Sequence, residues 1–523
     1  MTRFNRRSFF ALTGGAAALA TTPAWSQEDD SARIDAIVEP FLAKFGVPGA
    51  AVAIIRPGKP DYVKGYGIRT LGKPEKVDVH TQFGVASNTK AFTTAALALL
   101  VEEKKIGWDE PVVTYIPEFK MYDARLTPLV TVRDLVSHRA GLGLGQGDLM
   151  LFPASDHSRA DQLKGVQFLK PAYGFRSGFA YNNVMFTIAG IVIERVSGQS
   201  YEAFVTQRLL KPLGMKDAVI GWPNVKSTNM VGRHARLGPP LRGIGKVSVV
   251  LPEETSGFAP AAGLVTSVTD ILPWLHTQLN KGKMPNGERL WSEASANEMW
   301  RPANIAGSGA GPTPETPSAA MFRTYGLGWF VQDYRGLRLV SHSGGLVGQV
   351  TQHALLPEKG IAVAVYTNTE DGISGTLRNA LLDYLIGKPG FDWMTSAENG
   401  LKKRDEKAIA DTPKVEAGGP SLPLAAYAGT YRDPWYGDVA ISVMGKGKTA
   451  HLMIDFTRTE RLKGAMQVFG PDTFLTRFPK DWGEDAVVTF EVKDGKVLGF
   501  KAKAWSPLAD FSFDYQDLDM KKV

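Results

Sequence analysis

The sequence predicts an α+β protein in two parts, an antiparallel sheet flanked by helices followed by a small antiparallel β-barrel. Three observations predict it. Apolar runs parted by turn residues near the start, and again beyond Leu337, read as strand pairs. An alanine-rich stretch after Ser87 reads as a long helix. Beyond Pro423, short alternating runs recur instead. A chain of 523 residues suits two or three domains, and 44% hydrophobic with 22% charged residues suits a globular protein with a sizeable core.

The elements follow in order. Residues 1–26 carry paired Arg6-Arg7, then Ser8-Phe9-Phe10, an Ala/Gly-rich stretch, and small residues Ala24 and Ser26 suited to cleavage. This segment resembles a twin-arginine export signal, which implies a mature protein that is periplasmic or secreted after signal removal. A short helix is expected at 34–45. The apolar run 49–55 ends at Arg56-Pro57-Gly58-Lys59-Pro60 and resumes at 62–67, a hairpin pattern. The helix after Ser87 runs through 91–100, and the middle of the chain mixes helices with Pro/Gly-rich loops. Strands are expected at 347–356 and 361–366, with Glu358-Lys359-Gly360 turning between them, and a helix at 375–385. These elements form a first domain at 31–395. Residues 396–421, rich in charge, Ala, Gly and Pro, read as a linker. The second domain, 422–523, has alternating runs at 439–444, 451–456, 473–478, 486–492 and 497–504, with Asp494-Gly495 as a tight-hairpin signal.

Composition excludes several classes. Cys is 0, so disulfides, thiol catalysis and cysteine metal sites are ruled out. The formal charge of +7 includes Arg3, Arg6 and Arg7 of the leader, and no basic run accompanies it, which argues against nucleic acid. No segment reaches the ~20 apolar residues that a bilayer span needs, so stable membrane insertion is not expected. His-Glu-x-x-His and Gly-x-Ser-x-Gly are both missing, and the eight histidines are scattered, so no metal and no cofactor are expected. Gly445-Lys446-Gly447-Lys448-Thr449 lacks the upstream glycine of a phosphate loop and reads as a hairpin turn.

The chemistry centres on Ser87-Asn88-Thr89-Lys90, where an extended run meets the helix. If Ser87 opens that helix, Lys90 lies one turn on and on the same side. Burial would lower the lysine pKa, and a neutral Lys90 could take the Ser87 proton. The plainer reading is a helix cap beside a surface lysine. Tyr181-Asn182-Asn183 supplies a Tyr-x-Asn, with Tyr181 as a proton relay whose phenol neighbouring cations would acidify, and Asn183 to orient Lys90 or bind a carbonyl. Tyr366-Thr367-Asn368 matches the pattern equally, but it ends an apolar strand that reads as core. Ser341-His342-Ser343-Gly344-Gly345 opens the strand region. Its glycines allow a substrate backbone to approach and free an N–H for an oxyanion hole, and His342 is a donor whose charge depends on pH.

Ser-x-x-Lys, Tyr-x-Asn and His-x-Gly in this order resemble the serine β-lactamase and penicillin-binding-protein superfamily. Within it the pattern is similar to class C β-lactamases, S12-type peptidases, class VIII esterases and CubicO proteins. Leu135 to Leu142 resembles the family's His-x-x-Gly-Leu turn, in which His138 reads as structural. Ala261-Ala262-Gly263-Leu264-Val265-Thr266-Ser267 and Tyr325-Gly326-Leu327-Gly328-Trp329 resemble other recurrent stretches. The resemblance spans 31–388. It implies a β-lactamase/transpeptidase-like sheet with an all-helical region, and an acyl-enzyme on Ser87. Lys90 and Tyr181 become the proton-transfer pair, with either one as base. Asn183, His342, Ser343 and Gly344 become substrate-binding residues, and Ser87 and Gly345 the oxyanion hole. The tail resembles lipocalin-like domains, which would shape the cleft or mediate assembly.

His342 stands where the family commonly has a lysine that anchors a carboxylate. That disfavours an efficient β-lactamase and favours peptides, amides or esters that are neutral or amine-ended. The expected activity is a serine hydrolase acting on peptide or aminoacyl amide bonds. A class VIII-like carboxylesterase and a non-catalytic penicillin-binding-like sensor are the alternatives, and a homo-oligomer is compatible with either part.

Overall fold

The computed structural model describes residues 30–252, 257–370, 372–479 and 483–523. The export signal expected at 1–26 lies outside them. The first part is built on an eight-stranded antiparallel sheet. In spatial order its strands are Tyr62–Gly67, Gly49–Ile55, Ile361–Thr367, Gln349–Leu356, Leu337–Leu346, Phe330–Tyr334, Phe322–Tyr325 and Asn304–Ser308. Both faces are covered, which is why the central strands are apolar at nearly every position. Along Gly49–Ile55, Ala50, Val52 and Ile54 pack with helices Asp30–Phe45 and Ile373–Leu385. Ala51, Ala53 and Ile55 point to the opposite face, toward the larger core that holds helices Val268–Leu279 and Thr89–Glu102. The sheet begins earlier than expected, because Asn304–Ser308, ahead of the strands read beyond Leu337, contributes its edge strand. That strand is short, carries Gly307 and leaves Ile305 exposed, so it shows no alternating pattern.

Helix Thr89–Glu102 is buried at every position from Thr89 to Leu100. A helix apolar all round belongs in the middle of a domain. It packs against Val184–Ser197, and the Phe92 ring stacks on Trp274 with centroids 3.7 Å apart. Its small Ala and Thr side chains allow these close approaches.

The second part is a closed eight-stranded barrel, Gly429–Asp433 through Met520–Lys522 in meander order. The five expected strands are present within a residue or two at their ends. Lys463–Gly470, Gly429–Asp433 and the three-residue Met520–Lys522 complete the circle. Asp494 and Gly495 both hold positive φ in the hairpin that the sequence marks. The barrel is packed with rings: Tyr427, Tyr431, Phe474, Phe490 and Phe500 are buried, with neighbouring centroids 5.0–5.8 Å apart.

The segment 396–421, expected as a linker, is helical over its first half. Helix Trp393–Asp411 buries only Trp393 and Ala408, and Trp393 Nε1 donates to Asp383 Oδ2 at 2.9 Å. Charge and alanine suit an exposed helix as well as a linker, so composition alone does not separate the two.

Among the described residues no helix is long and apolar enough to cross a membrane.

Candidate active site

Ser87 lies in a 3-10 turn, Ala86–Asn88, immediately before the helix rather than at its first residue. Ala86 holds φ +50°, a left-handed conformation that costs an L-residue roughly 1–2 kcal/mol. Tertiary contacts hold the turn in place. Val85 N donates to Leu264 O at 2.8 Å, and Leu264 N donates back to Thr89 Oγ1 at 2.9 Å. From the sheet, Thr351 Oγ1 donates to Val85 O at 3.0 Å and accepts from Asn88 Nδ2 at 2.9 Å.

Gly344 meets this turn directly. A Cβ there would collide with the Val85 carbonyl and stand 2.9 Å from the Ser87 amide nitrogen. A Cβ on Gly345 would meet only open space, and Gly345 lines the same cleft as Ser87. Gly344→Ala is therefore expected to lower kcat/KM by ~10²-fold or more, because displacing the nucleophile by about 1 Å costs that much. Steady-state kinetics, with thermal melts showing retained folding, check it.

Lys90 is fully buried, and its Nζ makes three contacts: Asn183 Oδ1 at 2.6 Å, Ser87 Oγ at 3.0 Å and the Ala261 carbonyl at 3.1 Å. Desolvation pushes the Lys90 pKa down to about 7, against the opposing charge of Asp148. A neutral amine has two N–H groups and one lone pair. Asn183 and Ala261 offer only acceptors, so they take the two N–H groups and the lone pair faces the Ser87 hydroxyl.

The Tyr181 hydroxyl is buried beside Ser87 but short of good hydrogen-bond geometry. The expectation that cations acidify this phenol fails. Burial pushes its pKa up, and the Ser87 hydroxyl opposes that rise only in part. Lys90 Nζ sits 4.8 Å over the Tyr181 ring. His138 packs against the other side of the site, its ring centroid 4.2 Å from that of Tyr181, and its Nδ1 accepts from Asn182 N at 3.0 Å. This agrees with a structural part for His138. Tyr366 is buried in the sheet, with its hydroxyl 2.8 Å from His353 Nε2. It does not line the cleft, so of the two Tyr-x-Asn matches only Tyr181 reaches Ser87.

His342 needs correction. Its Nδ1 donates to the Ser343 carbonyl at 2.6 Å, which leaves Nε2 to accept from Tyr325 Oη at 3.0 Å. Burial first, and Lys90 second, push its pKa down to about 3. At neutral pH it is an uncharged part of the wall with no proton left to offer a substrate. Ser343, by contrast, is exposed on the cleft.

The cleft encloses about 490 Å³ and brings together Ser87, Tyr181, Asn183, His342, Ser343 and Gly345. Charged residues of both signs line it. Arg242 pairs with Glu370 at 2.6 Å and Glu484 at 3.4 Å, and Arg236, Arg404 and, from the barrel, Asp510 lie in the same wall. Beside Ser343 stand Arg323 and Arg378. Arg378 bonds only amide oxygens of Gln352 and Asn379, Arg323 lies 3.8 Å over the Phe330 ring, and neither has a carboxylate partner among the described residues. Sequence reasoning missed these arginines and every barrel residue in the wall. Nothing local marks them, because they come from segments far apart in the chain. Among the described residues no group of three or more His, Cys, Asp or Glu could hold a metal ion.

A family model described as Beta-lactamase matches residues 34–388, and one described as a domain of unknown function (DUF3471) matches 413–522. The "Unguisins hydrolase ungD'" of Aspergillus campestris is 28% identical over 434 residues, 77% of this chain and 76% of that protein. The octameric penicillin-binding protein homologue from Pyrococcus abyssi superposes with a TM-score of 0.57 at 22% identity, covering 92% of this chain and 97% of that one. The D-amino acid amidase from Ochrobactrum anthropi SV3, solved with L-phenylalanine amide, gives a TM-score of 0.53 at 21% identity and covers 72% and 99% of the two chains.

Proposed function

The chain belongs to the Beta-lactamase family, and from that premise we propose that it is a serine hydrolase acting through an acyl-enzyme on Ser87, with peptides or aminoacyl amides as substrates. One observation carries the reading: the Nζ of a fully buried lysine lies 3.0 Å from the serine hydroxyl, with the Asn183 and Ala261 carbonyl oxygens at 2.6 and 3.1 Å around it.

The geometry supports the following steps. Neutral Lys90 takes the Ser87 proton as Oγ attacks the substrate carbonyl. The backbone N–H groups of Ser87 and Gly345 receive the oxyanion, an interaction worth ~10²–10³-fold per donor. Tyr181, kept protonated by burial, gives its proton to the departing amine and recovers one from Lys90. Water then repeats the sequence on the ester, returning the acid and free Ser87. With its low phenol acidity, Tyr181 suits the acid and Lys90 the base.

The cleft's charge supports the substrate class. Arg323 supplies, near Ser343, the cation that position 342 lacks. Carboxylate-ended substrates, disfavoured on His342 alone, are thereby readmitted. Arg323→Ala is expected to raise KM about 10-fold or more for a carboxylate-ended peptide while leaving its C-terminal amide within about twofold, since a charged hydrogen bond is worth ~1.5–3 kcal/mol. Paired kinetics on the two peptides check it. The leader read at 1–26 supports action outside the cytoplasm.

The test of the activity is direct. Aminoacyl amides and short peptides are compared with p-nitrophenyl esters, and mass spectrometry follows fluorophosphonate labelling. Turnover of esters alone overturns the amidase reading. An intact protein without an adduct on Ser87 overturns catalysis by this serine.

A further inference from the structure

The barrel reaches the reaction centre through one short segment. Ser512 Oγ donates to Asp148 Oδ2 at 2.7 Å, and Asn183 Nδ2 donates to the same oxygen at 2.7 Å. Asn183 Oδ1 is the acceptor that Lys90 Nζ holds at 2.6 Å. The chain of contacts Ser512–Asp148–Asn183–Lys90–Ser87 is continuous. Asp148 is also clamped on both sides: Asp514 accepts from Gly147 N at 2.6 Å and from Leu149 N at 2.9 Å. Close packing at Gly145 adds to this, since a Cβ there would stand 2.5 Å from the Phe511 carbonyl. The Phe511 ring meets the Tyr181 ring edge-on, with centroids 5.8 Å apart.

We propose that Ser512 and Asp514 of the C-terminal barrel are positioning residues of the reaction centre, holding Asp148 so that it orients Asn183 and sets the charge felt by Lys90.

A fixed network of this kind matters because all its members are buried. Asp148 and Lys90 are fully enclosed, so their mutual field is weakly screened. Asp148 Oδ2 accepts two hydrogen bonds, whereas Oδ1 is buried with no partner among the described residues. Removing the Ser512 donor leaves Oδ2 with one bond and favours the protonated carboxyl. The charge that supports the Lys90 ammonium then falls. The other groups facing the pair are few. His138 and His342 are neutral by burial, Tyr181 and Tyr325 stay protonated, and Asp510 and Asp514 on the barrel raise the cost of charging Asp148. Arg323 lies beyond His342 and adds to the cations around it. Asp148 itself is pushed up to about 7, chiefly by desolvation, so small changes in its bonding change its charge near neutral pH.

The role rests on the serine-hydrolase reading, but its test need not. In the full-length protein carrying ¹³C-lysine, the Cε resonance of Lys90, assigned by its loss in Lys90→Met, is titrated in wild type, Ser512→Ala, Ser512→Thr and Asp514→Asn. The Lys90 midpoint is expected to move down by about half a pH unit or more in Ser512→Ala, to stay near wild type in Ser512→Thr, which keeps the hydroxyl, and not to fall in Asp514→Asn, which removes an acid that raises the cost of charging Asp148. In turnover, the acidic limb of kcat/KM moves by the same amount and kcat falls while KM stays within about twofold. A Lys90 midpoint that does not move in folded Ser512→Ala overturns the proposal, whatever the activity. A midpoint that moves in a protein with no turnover supports the coupling and overturns the hydrolase reading instead.

Discussion

Ser87→Ala protein turns over neither aminoacyl amides nor p-nitrophenyl esters above about 10⁻⁴ of the wild-type rate and takes up no fluorophosphonate. The expected loss is this large because the residues around a nucleophile act as a unit, and without the acyl-enzyme only the oxyanion donors and binding remain. Folding is expected to be unaffected. Ser87 is partly exposed, its turn is held by Val85, Asn88 and Thr89 rather than by its own hydroxyl, and substitutions of this kind stay within about 0.5 kcal/mol. Initial rates, intact mass and a thermal melt on one preparation check all three statements. Turnover retained with an adduct elsewhere would move the chemistry to another residue.

Lys90→Met is expected to lower kcat by ~10²–10⁴-fold, the usual contribution of a general base. In wild type, kcat/KM should rise with pH through a midpoint near 7, because the reactive form is the neutral amine. The midpoint belongs to Lys90 and Asp148 together, since both titrate near that value and each feels the other. Lys90→Arg keeps the positive charge at every accessible pH and should not recover the rate. Stability provides a second check with a defined sign. The Lys90 pKa falls from an ordinary 10.5 to about 7 on folding, so between those values the unfolded chain binds a proton that the folded chain does not. Lys90 therefore makes stability rise with pH across that window, by at most ~1.4 kcal/mol per pH unit, and it contributes no slope below about 7. Urea midpoints at pH 7 and 9 should diverge more in wild type than in Lys90→Met. Equal divergence would mean that the lysine is not buried as a neutral amine.

The sequence made Ser87 and Lys90 legible because three residues of helix-like chain place them together by local geometry alone. The same holds for the hairpin at Asp494-Gly495, where the turn chemistry is contained in two residues. Tyr181 was separable from Tyr366 by the character of the flanking segment, a loop before a helix against an apolar strand. The edge strand Asn304–Ser308 and the helix Trp393–Asp411 were not legible, since neither buries a regular face and so neither imprints a period.

What the sequence determined by itself was the family pattern, the antiparallel architecture of both parts, and the residues whose chemistry is local. Only the tertiary structure decided which of those residues are charged. Lys90 is neutral-prone, Tyr181 is held protonated and His342 is uncharged because of what encloses them, and enclosure is a property of the whole fold. It also decided that Ser512, 364 residues from Asp148, belongs to the same site. A hydrogen bond between segments so far apart leaves no periodic trace along the chain, and it exists only once the barrel has closed against the cleft.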